Sequence, residues 1–491
     1  RSLAYLGAMS ILKKLGIGLA VFLLVLGAGL WFLTRGNTAT LAWADVTGVD
    51  PTIEQPEEET VPTVAIADPV GWKVGEAPVA AKGLAVTRFA EGLEHPRTLQ
   101  TLPNGDVLVA LTRGPQEKGG GFTGWVADKL MTKAGATGPS PNKIVLLRDT
   151  NGDGKADLDE VLLDGLNSPS GMAWHDGTLY VANTDAVMAY PYTLGADKVS
   201  GPARKIMDLP GGGNHWMRNL AISPDGANLY VAVGSASNIA ENGLKAEEGR
   251  AMIWEIDLAT GSPRMFGGGL RNPNGLDFSP WTGELWTTVN ERDMLGSDLV
   301  PDYLTNVPLG VQYGWPWVYW RDQYDRRVPY PIPEYINYVR KPEYALGPHV
   351  AALGFVFSKA GARMGDAFDN GAFVAEHGSW NRKPPSGYDV VYVPFDKRGN
   401  PTGKPVPVLT GFLTGKGETH GRPTWVTWAG DGALLVSDDT AGIIWRVIAP
   451  GAKPQAGIAR LTGESLPPRR ELNGQQATFG ADDYARTVTA P

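Results

Sequence analysis

Three observations predict the fold class. One strand–turn–strand phrase recurs six times, glycine and proline are in excess, and a single long apolar run lies near the N-terminus. Together they predict an all-β chain, a six-bladed β-propeller with a single N-terminal transmembrane helix. The chain has 491 residues, with 63 Gly and 38 Pro, and 43% of it is hydrophobic. A chain that apolar folds, so the excess marks tight turns rather than disorder, and turn-rich chains favour all-β architecture. The chain has no cysteine, which excludes disulfides, thiolate-held zinc, iron–sulfur clusters and covalently attached haem. A formal net charge of -8 speaks against nucleic acid as a partner, because phosphate binding needs clustered Lys and Arg.

Residues 1–36 read as the anchor. Residues 15–33 (LGIGLAVFLLVLGAGLWFL) form an unbroken run of 19 apolar or glycine residues. At ~1.5 Å per residue the run nearly spans a ~30 Å hydrocarbon core. Lys13 and Lys14 precede it and Arg35 follows. The positive-inside bias keeps the short N-terminus in the cytoplasm of a bacterial inner membrane and sends the body to the periplasm. Met9 is a candidate start. The rival reading is a cleaved signal peptide with Ala42-Trp43-Ala44 as its small-residue site, but the run is longer than a usual signal core, which favours retention. Residues 37–82 read as an acidic, Pro-rich linker. Glu54, Glu57, Glu58 and Glu59 alternate with Pro51, Pro56 and Pro62, so the segment repels itself and stays extended, draped on the surface or flexible. Residues 451–491 are a polar tail of the same character.

Residues 83–450 carry the repeats. Gly92 opens GLEHPRTLQTLPNGDVLVA, Gly165 opens GLNSPSGMAWHDGTLYVAN, and Gly213 opens GNHWMRNLAISPDGANLYVAVG. Gly269 opens GLRNPNGLDFSPWTGELWTTVN, Leu353 opens the degenerate LGFVFSKAGARMGDAFDNGAFVAEHG, and Gly421 opens GRPTWVTWAGDGALLVSDD. Asn104-Gly105, Asp176-Gly177, Asp225-Gly226 and Asp431-Gly432 are hairpin signals, because these residues tolerate positive φ. The irregular spacing suits four-stranded blades with variable loops, and radial closure buries both faces of each sheet. The longest insertion, residues 298–349, carries QYGWPWVYW and is expected to form an ordered cap near one rim.

That geometry would bring the blade starts together at one mouth. His95, His215 and His420 fall at blade starts, and His377 falls just after a blade strand. His175 precedes an Asp-Gly turn and is expected to face solvent. His215, behind three glycines in GGGNHWMRN, is placed where a ligand can approach, and an imidazole can take a proton from a hydroxyl. Arg97, Arg218, Arg271, Arg382, Lys383 and Arg422 recur at comparable places. Planar guanidinium groups bind carboxylates bidentately, so the mouth is a candidate anion site in an acidic chain.

One metal motif is sharp. Asp149, Asn151, Asp153, Lys155, Asp157 and Glu160 occupy the ligand positions of D-x-N-x-D-G-x-x-D-x-x-E, with Gly154 at the sharp turn. That is the spacing of a calcium loop. Strand-like IVLLR and EVLLD flank it instead of helices, so the expectation is a structural calcium loop between strands. A plain Asp/Asn/Gly hairpin is the alternative.

The phrases NHWMRNLAISPDGANLYVAVGSASNI, GLRNPNGLDFSP, TTVNERDMLGSDLVPDYL, YGWPWVYW, AEHGSWNRKPPSGYDVVYVPF and GRPTWVTW give a resemblance over residues 88–448. The chain resembles the soluble pyrroloquinoline-quinone (PQQ)-dependent sugar dehydrogenases, most closely their L-sorbosone dehydrogenase-like branch. The resemblance implies a six-bladed propeller with the quinone across its mouth, a calcium ion polarising the quinone carbonyl, and a histidine removing the hydroxyl proton. By resemblance His215 matches the catalytic base and Asn214 the neighbour that orients it. Arg271 and Asn272 match the cofactor-binding pair, and Asn274 stands where the family has glutamine. Arg422 and His420 match the carboxylate-binding basic pair, and Arg382 and Lys383 are the candidates for the cofactor lysine. Glu291 and Arg292 fall near the residues whose backbone carbonyls hold the cofactor calcium.

Two functions follow. The first is a membrane-anchored, periplasm-facing quinoprotein dehydrogenase, oxidising an aldose or related aldehyde or alcohol with PQQ and calcium. Lacking haem, it would pass electrons to a quinone pool or a separate cytochrome. The second is a non-catalytic propeller serving as an extrinsic subunit of a respiratory or photosynthetic membrane complex. A lactonase-type hydrolase would want several carboxylate metal ligands at the channel, where the sequence offers Arg, His and Asn.

Overall fold

The computed structural model describes residues 35–115, 138–329 and 333–461, together with Lys14, Ile17, residues 22–24, Gly27 and Thr132. Six sheets stand around one axis. Their innermost strands are Pro96–Thr101, Gly171–His175, Arg218–Ile222, Asn272–Phe278, Ala352–Phe357 and Pro423–Trp428, and each contacts the next around a closed ring. We number the blades 1 to 6 in that order. Every blade is antiparallel, and successive strands run from axis to rim. Blade 6 takes its outermost strand, Ala85–Glu91, from the start of the propeller and pairs it with Ile443–Ile448. The two ends of the repeat region thereby close the ring. The six-bladed expectation holds.

Closure explains the sequence pattern. A central strand such as Val107–Leu111 (VLVAL) is buried at every position, because both sheet faces meet neighbouring blades. Each of the six seams has its own apolar core. Leu108 and Leu146 meet Met172 and Val181 between blades 1 and 2, and Phe373 and Tyr392 meet Val426 and Trp445 between blades 5 and 6. The inner strands crowd the axis so closely that a Cβ on Gly171 would lie 2.4 Å from the Arg218 carbonyl oxygen. Only glycine fits there.

All inner strands start at one end of the axis, so blade starts and the loops between second and third strands share a mouth. The predicted Asn-Gly and Asp-Gly hairpins lie at the far end, with Gly105, Gly177, Gly226 and Gly432 at φ 95, 76, 74 and 87. The insertion at 298–349 is less of a cap than expected. Its ends are the two outer strands of blade 4, Pro301–Asn306 and Tyr344–Pro348. Only the part between them leaves the blade, forming the ribbon Val318–Tyr319 and Gln323–Tyr324 and the 3-10 turn Pro333–Tyr338.

The acidic segment is extended, as its charge predicts, but it is docked. The Asn37 side chain accepts from Ser297 N at 2.7 Å, Ala39 N donates to the Lys383 carbonyl at 2.8 Å, and Thr40 N donates to Asp298 at 2.6 Å. Ala65 N donates to the Trp380 carbonyl, Asp68–Pro69 runs parallel to Glu418–Thr419, and Val79–Ala80 adds a fifth strand to blade 5. Residues 37–80 are thus a strap that docks on the mouth loops of blades 4, 5 and 6 and, at Gly48 and Val79–Ala80, on the outer strands of blades 4 and 5. The tail begins in the same way: Leu461 N donates to the Trp281 carbonyl at 2.8 Å. Its remaining residues, from 462, lie outside the described residues.

Most of the anchor run also lies outside the described residues. No helix among those described is long and apolar enough to cross a membrane. The described positions Ile17, Phe22, Leu23 and Leu24 are helical and exposed.

Candidate active site

Blades 1, 5 and 6 meet at the mouth around one buried carboxylate. Asp439 follows the blade 6 strand Leu434–Asp438. Arg97, on the inner strand of blade 1, donates to Asp439 at 2.6 Å. His377, just past the blade 5 strand Gly371–Glu376, lies 2.9 Å from the same oxygen, and His95 lies 3.8 Å from it. Burial disfavours the Asp439 charge, yet His377, His95 and Arg97 hold its carboxyl well below the usual range. Burial and the Arg422 charge push His377 down to about 3, and burial pushes His95 down to about 4. Both imidazoles are therefore neutral at pH 7, and Asp439 is the anion that Arg97 balances. Arg97 also lies over the Trp216 ring, 5.6 Å from its centroid. Arg422 reaches in from blade 6 and donates to the His377 carbonyl at 3.2 Å.

His215 stands beside this cluster, one residue before Trp216. Its Nδ1 lies 2.9 Å from both the carbonyl oxygen and the hydroxyl of Ser235. The Ser235 hydroxyl gives its own proton to the Ser237 carbonyl at 2.7 Å. Both neighbours of Nδ1 are then acceptors, which assigns the proton to Nδ1 and the free lone pair to Nε2. Burial and the charge of Arg271 push the His215 pKa down to about 3, so the ring is neutral at pH 7 with its Nε2 lone pair available. The partner that orients it is Ser235 rather than the expected Asn214, whose backbone N–H instead donates to the Ala236 carbonyl at 2.8 Å. Ser235 lies 20 residues on, across a hairpin, where adjacency in sequence gives no hint of it.

The amides of blade 4 complete this side. Asn272 and Asn274 donate to the Asn290 side chain at 3.1 and 3.2 Å. Arg271 is more tied than expected. It bonds the Asn238 carbonyl, the Glu291 carbonyl at 2.6 Å and Asp293 at 2.9 Å. Three other expected cofactor ligands belong to the strap contact. Arg382 pairs with Asp298 at 3.2 Å and covers Trp43, and Lys383 takes part through its backbone. His420 Nδ1 donates to the Gly71 carbonyl at 2.9 Å while its ring stacks on Trp72.

Neither expected calcium set is assembled. Among the described residues no group of three or more His, Asp or Glu is arranged to hold a metal ion. In the loop, Asp149 accepts from the backbone of Gly152, Asp153 and Gly154, Asn151 accepts from Asp153 N, Asp153 accepts from Lys155 N, and Asp157 accepts from Thr150. These are turn contacts at the far end of the propeller, and Glu160 sits on the strand Leu158–Leu163, paired with Leu146. At the mouth the Glu291 carbonyl already accepts from Arg271. Arg292 is fully buried between Glu291 and Asp325, and it holds the carbonyls of Pro316 and Val318.

The donor set at the mouth does fit a flat polyanion. Two guanidinium groups, two neutral imidazoles and an indole face surround one carboxylate. Arg97 Nε and His95 Nδ1 are buried without a hydrogen-bond partner among the described residues. Such orphaned polar groups are uncommon unless a ligand completes them. Sequence reasoning marked Arg97, His95 and His377 as mouth residues but missed Asp439, Trp216 and Ser235.

A six-bladed propeller with imidazoles, guanidinium groups and amides gathered at one mouth defines the class of PQQ-dependent sugar dehydrogenase-like propellers. The TrAA12-like family model matches residues 78–306 and 336–449, and the chain belongs to that family. A pyrroloquinoline quinone-dependent pyranose dehydrogenase of Coprinopsis cinerea is 27% identical over 441 residues, covering 76% of this chain and 55% of that protein. The chain thus spans about half the length of that curated relative. An uncharacterized protein of Borreliella burgdorferi is 28% identical over 295 residues, covering 57% of this chain and 76% of that protein. Among solved structures, a Trichoderma reesei carbohydrate-active enzyme of family AA12 superposes with a TM-score of 0.60 at 22% identity, covering 76% of this chain and 97% of that one. The holo form of the Coprinopsis cinerea pyranose dehydrogenase PQQ domain superposes with a TM-score of 0.59 at 22% identity, covering 78% of this chain and 100% of that one. These two likenesses concern the fold.

Proposed function

We propose that this chain is a membrane-anchored quinoprotein dehydrogenase, facing the periplasm, that oxidises an aldose or a related aldehyde or alcohol. The observation that carries the reading is the pairing of the Arg97–His377–Arg422 mouth with a neutral His215 whose Nε2 lone pair is free. Arg97 and Arg422 would hold the carboxylates of PQQ, His95 would donate to one of its oxygens while His377 stays bonded to Asp439, and Trp216 would lie against its flat face. When bound, PQQ supplies a two-electron, hydride-accepting carbonyl. His215 Nε2 takes the sugar hydroxyl proton, and Ser235 keeps the ring in the required tautomer. The amide of Asn272 would orient a sugar hydroxyl, with Asn274 and Asn290 holding it from behind. The groups expected to hold calcium are engaged in turn contacts at 149–157 and in the Arg271 bond at the Glu291 carbonyl. With no cysteine to attach a haem covalently, the chain would deliver electrons to a quinone pool or a cytochrome.

The test uses the purified full chain, loaded with PQQ with and without Ca²⁺, and an aldose with a redox dye. Dye reduction that needs both PQQ and the aldose is expected. Retention of no quinone absorbance, with no dye reduction, would sink the enzyme reading. A second reading, an extrinsic scaffold subunit of a membrane complex, draws support from one observation: the strap occupies Arg382, Lys383 and His420. Purification from native membranes would then yield partner subunits in fixed stoichiometry and no bound quinone.

A further inference from the structure

The strap meets the propeller mouth within a few residues of the end of the apolar run in the sequence. The run ends at Leu33, and by Asn37 the chain is bonded to Ser297, on the mouth loop of blade 4. Ala39 and Thr40 follow onto Lys383 and Asp298, so this attachment is not a single contact. Four residues reach at most about 14 Å when fully extended. If the run spans the bilayer, the blade 4 mouth loop lies within that distance of the lipid, while the far-end turn of the same blade lies a strand length further, about 17 Å for five residues.

The surface of the mouth fits that position. Trp380 is 38% exposed, Val61 41% and Val64 42%. Ala65 N bonds the Trp380 carbonyl, and the Asn381 side chain bonds the Thr63 carbonyl at 2.8 Å. Those bonds fix the strap segment that carries Val61 and Val64 on the loop that carries Trp380. An exposed tryptophan is at home at a membrane–water interface, where its ring is apolar and its N–H stays hydrated. Glu54, Glu57 and Glu58 of the same strap would repel anionic headgroups, so the fitting surface is zwitterionic.

We infer that the propeller stands with its mouth turned to the membrane, held there by the strap, with Trp380, Val61 and Val64 against the lipid interface. The inference rests on the anchor reading. It places the mouth next to a membrane-borne electron acceptor and obliges a soluble sugar to enter from the side. The absence of cysteine makes the test clean, because each engineered thiol is the only one. The full chain carrying Val64→Cys, Glu58→Cys or, at a far-end turn, Ala227→Cys is labelled with a fluorophore and reconstituted into phosphatidylcholine vesicles containing a nitroxide-bearing lipid. Quenching several-fold stronger at positions 64 and 58 than at 227 is expected. Equal quenching, or stronger quenching at 227, in protein that floats with the vesicles overturns the orientation alone. Protein that does not float with the vesicles overturns the anchor reading and the orientation with it.

Discussion

At the far end of the propeller, Asp149 lies half-buried and Asp157 exposed, and both accept hydrogen bonds from residues a few positions away. At the mouth, Asp439 is buried and holds Arg97 and His377, residues 342 and 62 positions distant. The far-end loop spells out a metal motif in consecutive letters, yet its carboxylates only shape a turn. The mouth spells out nothing, yet it assembles two guanidinium groups, three imidazoles and a set of orphaned polar groups. Chemistry in a closed ring of blades gathers where six chain segments converge, and a local motif at the opposite end gains nothing from that convergence.

The sharpest way to break the comparison is at His215. His215→Ala should lower turnover by about 10²- to 10⁴-fold, as for loss of a general base, while PQQ uptake stays intact. A matching loss of quinone binding would make His215 a structural residue instead. Next is Asp439→Ala, which strands Arg97 in a buried site. Removing one partner of a buried pair costs about 3–5 kcal/mol, and chemical denaturation should show it. The same change at exposed Asp431, the partner of Arg446 at the far end, should cost roughly 1 kcal/mol or less.

A pH experiment sharpens the contrast. Burial raises the Asp302 pKa to about 7. The folded protein therefore binds a proton that the unfolded chain releases near pH 4, so this group's stability contribution is present at low pH and lost as pH rises from about 4 to 7. Asp302→Asn removes that loss. Whatever its constant offset, the variant should gain on the wild type by roughly 2 kcal/mol between pH 5 and 7. A gap that does not move with pH would mean that Asp302 is ionised throughout. Smaller effects follow. Trp72→Ala removes the His420 stack and the Asp438 hydrogen bond at 3.0 Å. It should cost about 1–2 kcal/mol and expose residues 37–72 to limited proteolysis. Asp149→Ala should cost only about 1 kcal/mol, and calcium should not raise the melting temperature of the wild type.

The blades were legible because their signals are local. A glycine, an apolar strand and an Asn-Gly or Asp-Gly turn sit within twenty residues of one another, and six repeats of that phrase leave few other folds. The positions of Arg97, His377 and Arg422 near the mouth followed from the same repeats. What the sequence could not reveal was pairing. Ser235 in place of Asn214, Asp439 beneath Arg97, and Trp72 against Asp438, 366 residues away, depend on how neighbouring blades and the strap meet. The acidic segment shows the limit plainly: its charge predicts an extended chain, but the docking of that chain depends on hydrogen bonds to loops more than 250 residues distant.

The central claim is that the mouth, through Arg97, Arg422 and the imidazoles, is a PQQ site. Equilibrium titration of the purified full chain with PQQ, beside the Arg422→Ala variant, tests it most directly. Loss of one charge-assisted contact weakens binding by about tenfold or more. Saturable binding to one site in the wild type, weakened to that degree in the variant, is the predicted result. No saturable binding, or equal affinity in both proteins, would contradict it.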